Sequence, residues 1–270
     1  MNKQVLFFSS AAACALMLTS NVMAGSFAPA AGKAGSTAIH KDADFVGWAT
    51  GVEVVRGLAD IANPQGARAT FGTPDAALGK AEGTSYGVVS LGDGGSATLT
   101  FDAAITNGVG DDFAVFENSF SDTFLELAFV EVSSDGENFF RFDAISETPT
   151  DKQILGFGVV DPTNVYNLAG KYKQGYGTGF DLEELAGIEG LDVNNVTHVR
   201  VVDVIGSIDP QYASYDSVGN IINDPYATPF NSGGFDLDAV GVINVVPEPA
   251  TLVLLMFGVF GAAGRRRFNV

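Results

Sequence analysis

The sequence predicts an all-β protein, a jelly-roll-like β-sandwich followed by a single hydrophobic helix at the C-terminus. From Tyr86 onward, short runs rich in Val, Phe and Ile alternate with turns rich in Gly and Asp, which is typical of antiparallel strands. Helical periodicity is almost absent from the same region, so layers of sheet are the expected architecture. The length between the two terminal segments is enough for one large sandwich.

The N-terminal residues 1–24 have the features of a secretory signal peptide. Lys3 precedes an apolar run from Val5 to Leu18, and small residues lead up to a cleavage site after Ala24. Cys14, the single cysteine of the chain, falls inside this segment. An exported domain without disulfides must be stabilised by a large core, by metal ions, or by both.

Residues 25–44 are rich in Ala, Gly and Pro and are expected to form a flexible lead, so we place the ectodomain at residues 45–245. Val52–Val55 is a possible first strand. Tyr86–Leu91 and Ala97–Phe101 are β-rich runs on either side of Gly92-Asp93-Gly94-Gly95, which predicts a hairpin. Phe113–Glu117 is the next expected strand.

The second half of the ectodomain continues in the same way. Phe124–Ser133 is apolar on both alternating sets of positions, which favours a central strand in a covered sheet. The turn Ser133–Gly136 predicts a second hairpin with Phe139–Phe142. A short helix is expected at Leu182–Ala186, with Asp181 as its cap and Glu184 at capping-box spacing. Further strands are expected at Val196–Ile205 and Phe235–Val245.

The stretch from Phe129 to Phe139 joins an apolar strand, a Ser-Asp-Gly turn and an aromatic restart. It resembles the strand-turn-strand units of discoidin-like, galactose-binding-like jelly rolls. More broadly, the ectodomain from Gly110 to Asp238 is similar to exported bacterial surface proteins. This resemblance implies a fold and carries no reaction.

The C-terminal residues 246–270 form a three-part pattern. Pro247-Glu248-Pro249 ends any preceding strand, because proline fixes φ and lacks a backbone donor. The uncharged run from Ala250 to Ala263 follows, and the cluster Arg265, Arg266 and Arg267 comes after it. As a helix the run is about 21 Å long, short of the bilayer core of about 30 Å, so a buried helix is the alternative to a transmembrane segment at residues 250–264. The arginines favour the membrane, since they mark a cytoplasmic flank.

This tail resembles the PEP-CTERM sorting signal of Gram-negative bacteria, a signal that is also labelled as the C-terminal domain of ice-binding proteins. The resemblance implies the secretion machinery and an exosortase as partners, with an intermediate in the inner membrane. It implies delivery to the cell surface or to an extracellular matrix. It says nothing about the activity of the ectodomain.

The chain carries a formal net charge of −18 at pH 7, which argues against nucleic acids and anionic membranes as partners and favours the binding of cations. The alternative is that acidity only maintains solubility. Calcium takes oxygen ligands on Gly-containing loops, and two groups of residues offer them. The first is Asp111, Asp112, Glu117, Asn118 and Asp122, and the second is Asp216, Asn220, Asn223, Asp224, Asp236 and Asp238. Both groups could instead form Asx turns.

Six of the seven tyrosines fall between Tyr166 and Tyr226 in a loop-rich region. A tyrosine tolerates half-exposure because its ring is apolar and its hydroxyl is polar, and sugar faces stack on such rings. We therefore expect a carbohydrate or exopolysaccharide ligand at Tyr172, Tyr176, Tyr212, Tyr215 and Tyr226. The alternative is that these rings pin loops to the sandwich.

The sequence contains few residues of the types that common catalytic sites require. Only two histidines are present, His40 and His198, so a triad or a zinc site of His and Cys ligands is not expected. Asp236 and Asp238 share a strand face, as any acidic pair two residues apart does. The sequence favours a non-catalytic, calcium-stabilised binding module. The alternatives are a glycan-active enzyme and a purely structural protein of a biofilm matrix.

Overall fold

The structure, a computed structural model, describes residues 25–246 as thirteen strands and three short 3₁₀ helices. The 3₁₀ helices are Pro74–Ala77, Pro162–Asn164 and Leu182–Leu185. The strands are β1 (Ile39–His40), β2 (Gly47–Trp48), β3 (Gly51–Val55), β4 (Val89–Ser90), β5 (Ser96–Ile105), β6 (Phe113–Glu117), β7 (Ala128–Ser133), β8 (Phe140–Arg141), β9 (Ile145–Ser146), β10 (Val165–Tyr166), β11 (Tyr176–Phe180), β12 (Val196–Asp203) and β13 (Asp236–Val242).

The strands form two main antiparallel sheets. The first sheet has the order β1-β11-β6-β13-β2, with β4 also paired to β13. The second has the order β3-β5-β12-β7-β8, and β9 and β10 form a separate ribbon. In the register of the second sheet, Val201 lies opposite Val130 on one side and Ala97 on the other.

A single large core lies between the two sheets. Along β12 buried residues alternate with half-buried ones, so Val199 and Val201 point inward while Arg200 points outward. The facing residues from the first sheet include Phe113 and Val240, both fully buried. The all-β class is therefore confirmed. The jelly-roll connectivity stays a prediction, and the expected C-terminal helix lies outside the described residues.

The first predicted hairpin is wrong. The glycine turn does form, with Gly95 N donating to Gly92 O, and Gly92 and Gly94 have φ of 74° and 69°. However, β4 pairs with β13 in the first sheet, whereas β5 pairs with β3 and β12 in the second. The turn thus carries the chain from one sheet to the other. Local turn chemistry predicts a reversal but does not choose the partner strand.

The second predicted hairpin is confirmed. Strand β7 pairs with β8, and Glu131 lies opposite Arg141. Ser133 Oγ accepts from the backbone amides of Asp135 and Gly136, at 3.2 and 2.8 Å, which closes the turn. The run from Phe124 is shorter as a strand than expected, because residues before Ala128 form a loop.

The outer face of the first sheet is also covered. Phe116 and Ala239 point away from the main core and pack under Phe45 and Trp48. The sheet begins inside the segment that was expected to be a flexible lead, since β1 pairs with β11. The ring of Phe27 also lies 5.4 Å from that of Tyr166.

The expected short helix is present as a 3₁₀ helix. Asp181 caps it by accepting from the amide of Glu183 at 2.9 Å. Glu184 does not complete a capping box; its carboxylate accepts instead from Tyr166 Oη and Asn167 Nδ2. Within residues 25–246, no helix is both long enough and apolar enough to cross a bilayer.

Candidate functional site

A small open cavity, which we call the phenylalanine-rimmed pocket, lies at the junction of β6 and β13. Its volume is about 170 Å³. Three loops line most of it: residues 118–126 after β6, residues 156–157, and residues 228–232 before β13. The rim consists of Phe120, Phe124, Phe157 and Phe230, and the floor contains Asn118, Glu126 and Asp236.

The rim is a continuous row of aromatic rings. Ring centroids are 4.6 Å apart for Phe120 and Phe124, 5.8 Å for Phe124 and Phe157, and 6.1 Å for Phe157 and Phe230. Phe120, Phe157 and Phe230 are nonetheless 60%, 73% and 46% exposed. A contiguous exposed apolar patch beside a concave polar surface is typical of a binding site.

Hydrogen bonds within the first loop hold two of these rings together. Ser121 Oγ accepts from the amide of Phe124 at 2.8 Å, and Ser119 Oγ donates to the carbonyl of Phe124. The loop therefore turns back on itself between Phe120 and Phe124, and the two rings stack. The polar residues of the sequence Asn118-Ser119-Phe120-Ser121 build the turn that exposes Phe120.

The floor of the pocket is a group of buried carboxylates. Asp236 accepts from Ser90 Oγ and, at 3.0 Å, from Asn118 Nδ2. Glu117, which precedes Asn118 in the chain, is 1% exposed; its Oε2 accepts from the amide of Ser119 at 2.7 Å, while Oε1 has no hydrogen-bond partner among residues 25–246. Glu126 is 8% exposed, and no hydrogen-bond donor within the same residues stabilises its ionised form.

Burial raises the pKa values of these acids, and mutual repulsion adds to the rise for Glu117 and Glu126. Desolvation raises the pKa of Asp236 to about 6, although the charge of Arg56 opposes the rise. Desolvation, and then the charges of Asp236 and Glu117, raise the pKa of Glu126 well above its usual range. The pKa of Glu117 is raised in the same way. No basic side chain lines this pocket within residues 25–246, so its acidic groups face solvent without a basic partner in the lining.

Other buried acids brace the loops around the pocket. Asp203 accepts from the amides of Gly94 and Phe235, at 2.9 and 2.6 Å, and Asp224 accepts from the amide of Leu127 at 2.9 Å. Burial raises the pKa of both carboxyls well above the usual range. These hydrogen bonds fix the start of β13 and the chain next to Glu126.

The first group of predicted calcium ligands is divided among several places. Asp112 accepts from the amides of Gly108 and Leu182 and from Asn244 Nδ2, at 2.7 to 2.9 Å, and so ties loops together. Asp111 lies beside Gly179 at a different surface. Asp122 pairs with Lys173 at 2.8 Å. Asn118 lines the phenylalanine-rimmed pocket, and Glu117 is buried next to it in the chain.

The second group is divided as well. Asp216 accepts from the amides of Ser146 and Asn220, at 3.0 and 2.7 Å. Asn223 accepts from Gln153 Nε2, and Asp238 accepts from the amides of Glu82 and Gly83. Asp236 lines the pocket and accepts from Asn118 Nδ2. In the part of the chain that the structure describes, no three or more His, Cys, Asp or Glu side chains are arranged to hold a metal ion.

The predicted tyrosines do not form one surface. Tyr172 is buried, and its hydroxyl lies 2.9 Å from that of Thr37. Tyr176 lies on β11 with its ring 5.0 Å from His40. Tyr226 is partly buried near Asp60, and desolvation raises its pKa to about 12. Tyr212 accepts from Gln211 Nε2, and Tyr215 is 45% exposed in a loop bridged to Ile221.

Glu126 and the four phenylalanines of the rim are not among the site residues that the sequence predicts. A signal for Glu126 exists, since it is a carboxylate between Leu125 and Leu127 in an otherwise apolar run. A charge at such a position must be paired, or must face a ligand or solvent. The rim gives no comparable signal, because Phe124, Phe157 and Phe230 are far apart in the chain.

These features define an all-β protein with an aromatic, acidic pocket, and comparison adds its route of export. Residues 245–267 match the PEP-CTERM protein-sorting motif, which contains Pro247–Pro249 and Arg265–Arg267. The motif implies export to the cell surface or extracellular space through a membrane-associated step, with exosortase processing the signal. No curated protein and no solved structure matches the chain significantly, so the galactose-binding-like resemblance gains no support. The sorting residues lie outside the described part of the structure.

Proposed function

We propose that this exported protein is a non-catalytic binding module that holds extracellular polysaccharide at the cell surface, and that the phenylalanine-rimmed pocket is its binding site. The observation that carries this proposal is the row of exposed rings of Phe120, Phe157 and Phe230 directly above the buried carboxylates of Glu126 and Asp236. The motif at residues 245–267 supports the location of the ligand outside the cell.

The two parts of the pocket suit the two kinds of surface that a sugar presents. The CH face of a pyranose ring is apolar and packs on an aromatic ring, which buries area from both partners. The hydroxyl groups at its edge donate hydrogen bonds, and a carboxylate accepts them more strongly than a neutral oxygen does. A cavity of about 170 Å³ accommodates a single sugar unit of a longer chain.

A glycan-active enzyme is the second candidate, and the raised pKa values of Glu126 and Asp236 favour it. A carboxylic acid that keeps its proton near neutral pH can act as a general acid on a glycosidic oxygen. Incubating the protein with polysaccharide and measuring reducing ends separates the two functions. A binding module releases none, whereas a hydrolase releases them in a manner that Glu126→Gln abolishes.

Binding itself is tested with the full-length protein in mild detergent, by affinity electrophoresis through gels that contain extracellular polysaccharide. Phe157→Ala removes the most exposed ring of the rim and should weaken binding at least about tenfold, or about 1.4 kcal/mol. The control is Val109→Ala, which shortens an exposed apolar side chain in a different loop and should leave binding unchanged. Equal retention of wild type and Phe157→Ala would refute the assignment, and no retention of wild type would favour a purely structural matrix protein.

A further inference from the structure

The phenylalanine-rimmed pocket holds buried acidic groups that no basic side chain of its lining, within residues 25–246, can neutralise. Glu126 is nine-tenths buried and lines the cavity, and among residues 25–246 no hydrogen-bond donor stabilises its ionised form. Asp236 beside it uses its two oxygens on Ser90 and Asn118. The lining residues within 25–246 include no lysine, arginine or histidine. A buried carboxylate with neither partner nor counter-charge is costly, so its natural complement is a positively charged group from outside the chain.

A second unpartnered carboxyl oxygen belongs to Glu117. Its Oε1 is buried and accepts no hydrogen bond from residues 25–246, and the charge of Glu117 disfavours ionisation of Glu126. A neutral ligand would satisfy hydrogen bonds here but would leave this repulsion in place. A cation in the pocket removes it, because an opposite charge nearby favours the ionised form of each carboxyl.

The lining of the pocket favours an organic cation over a metal ion. The described residues provide no set of three acidic, His or Cys ligands around a metal ion. An ammonium group instead carries three donors of its own and needs no coordination shell. The aromatic rim adds to this preference, because a cation over the face of a phenylalanine ring is attracted by its quadrupole.

We propose that the phenylalanine-rimmed pocket recognises an amino sugar, whose protonated primary amine binds the carboxylates of Glu126 and Asp236 and whose pyranose face packs on Phe120 and Phe157. This inference rests on the proposed function, since it names the class of sugar that the same site takes. An acetylated amino sugar is a poor ligand, because its amide is uncharged and larger than an amine.

The test compares two oligomers that differ only in this group. A β-1,4-linked glucosamine tetramer and its fully N-acetylated counterpart are titrated by calorimetry into the full-length protein in mild detergent, with a chelator present. We expect the free-amine tetramer to bind at least tenfold more tightly. Glu126→Gln keeps the shape of the side chain and should abolish this preference. Glu53→Gln, an identical change at an exposed position of β3, should preserve it.

The outcomes separate this inference from the proposed function. Equal binding of the two tetramers, or tighter binding of the acetylated one, overturns the amino-sugar assignment and leaves a polysaccharide-binding pocket in place. No binding of either tetramer, combined with binding of a neutral polysaccharide that Phe157→Ala weakens, overturns only the amino-sugar assignment. No binding of any of these sugars overturns both. The comparison of the two tetramers uses wild-type protein, so it stands even if Glu126→Gln does not fold.

Discussion

The buried carboxylate of Asp236 should make the folded protein less stable as the pH rises, and the substitution Asp236→Asn should remove this effect. Burial raises the pKa of Asp236 from 3.8 to about 6. Between these two values the folded protein holds a proton that the unfolded chain has released. Folding therefore takes up a proton in this interval, and raising the pH destabilises the folded state. The penalty grows from about pH 4 to about pH 6 and is constant above.

The size of the effect follows from the shift. About two pKa units, at about 1.36 kcal/mol per unit, correspond to about 3 kcal/mol of stability that wild type loses and the variant keeps. For a domain of this size that is a difference of about 6 to 12 °C in melting temperature. In a plot of unfolding free energy against pH, the loss of hydrogen bonds to Ser90 and Asn118 lowers the variant by the same amount at every pH. Removal of the Asp236 charge changes the slope of that plot.

The assay is urea unfolding of the full-length protein at a series of pH values from about 4 to 7, in the presence of a chelator. The measured quantity is the difference in unfolding free energy between wild type and Asp236→Asn. Asp44→Asn, at an exposed position, is the matched control and should parallel wild type. If the curve of Asp236→Asn also runs parallel to that of wild type, Asp236 is not a buried, charge-disfavoured carboxyl and the description of the pocket floor is wrong.

Three further predictions concern stability. Glu131→Gln should destabilise the protein by about 2 kcal/mol, because the Glu131 carboxylate forms ion pairs with Arg141 at 2.7 Å and Arg200 at 2.5 Å on the outer face of the second sheet. Urea unfolding midpoints measure this loss. A loss no larger than that of Asp42→Asn, which breaks an exposed ion pair, would contradict the prediction. Gly72→Ala should lower the unfolding free energy by more than about 3 kcal/mol, since φ is 68° and an added Cβ would lie 1.8 Å from Val88 O. Gly79→Ala, at φ 76° in open space, should lower it by only about 1 kcal/mol. Equal melting temperatures of the two variants would refute the prediction. Calcium stabilisation stays a prediction: calcium at about 100 times its dissociation constant should add about 2.7 kcal/mol to the unfolding free energy, and a melting curve unaffected by a chelator would count against it.

The strand positions were predictable because their signals are local. Phe113–Glu117 is a strand with the bounds that its composition predicts, and the Ser-Asp-Gly turn after β7 makes the expected hairpin. The pairing of the strands was harder to predict from the sequence. The turn Gly92–Gly95 allows a reversal in either one sheet or two, and the choice depends on β13 and β12, far along the chain. Hydrophobic periodicity specifies which face of a strand is buried and not which strand lies beside it.

The site was only partly predictable for the same reason. The predicted calcium ligands include Glu117, Asn118 and Asp236, which belong to two separate groups in the sequence. The fold joins them because β6 and β13 are neighbours. Among the other predicted ligands, Asp216 accepts from the amide of Val218, two residues on, as in an Asx turn. Asp112, Asp224 and Asp238 accept instead from backbone amides that are distant in the sequence. The sequence predicted a ligand surface made of tyrosines. In the structure, exposed phenylalanines from three loops that are distant in the sequence lie together instead.

The most direct test of the central claim is to map where a sugar touches the protein. Amide chemical shifts of the full-length protein in detergent micelles are followed while the glucosamine tetramer is added. If the phenylalanine-rimmed pocket is the binding site, the largest changes will fall in residues 118–126, 156–158 and 228–236. Changes confined to the region of Tyr166 to Tyr172, or the absence of any localised change while the sugar binds, would contradict this account.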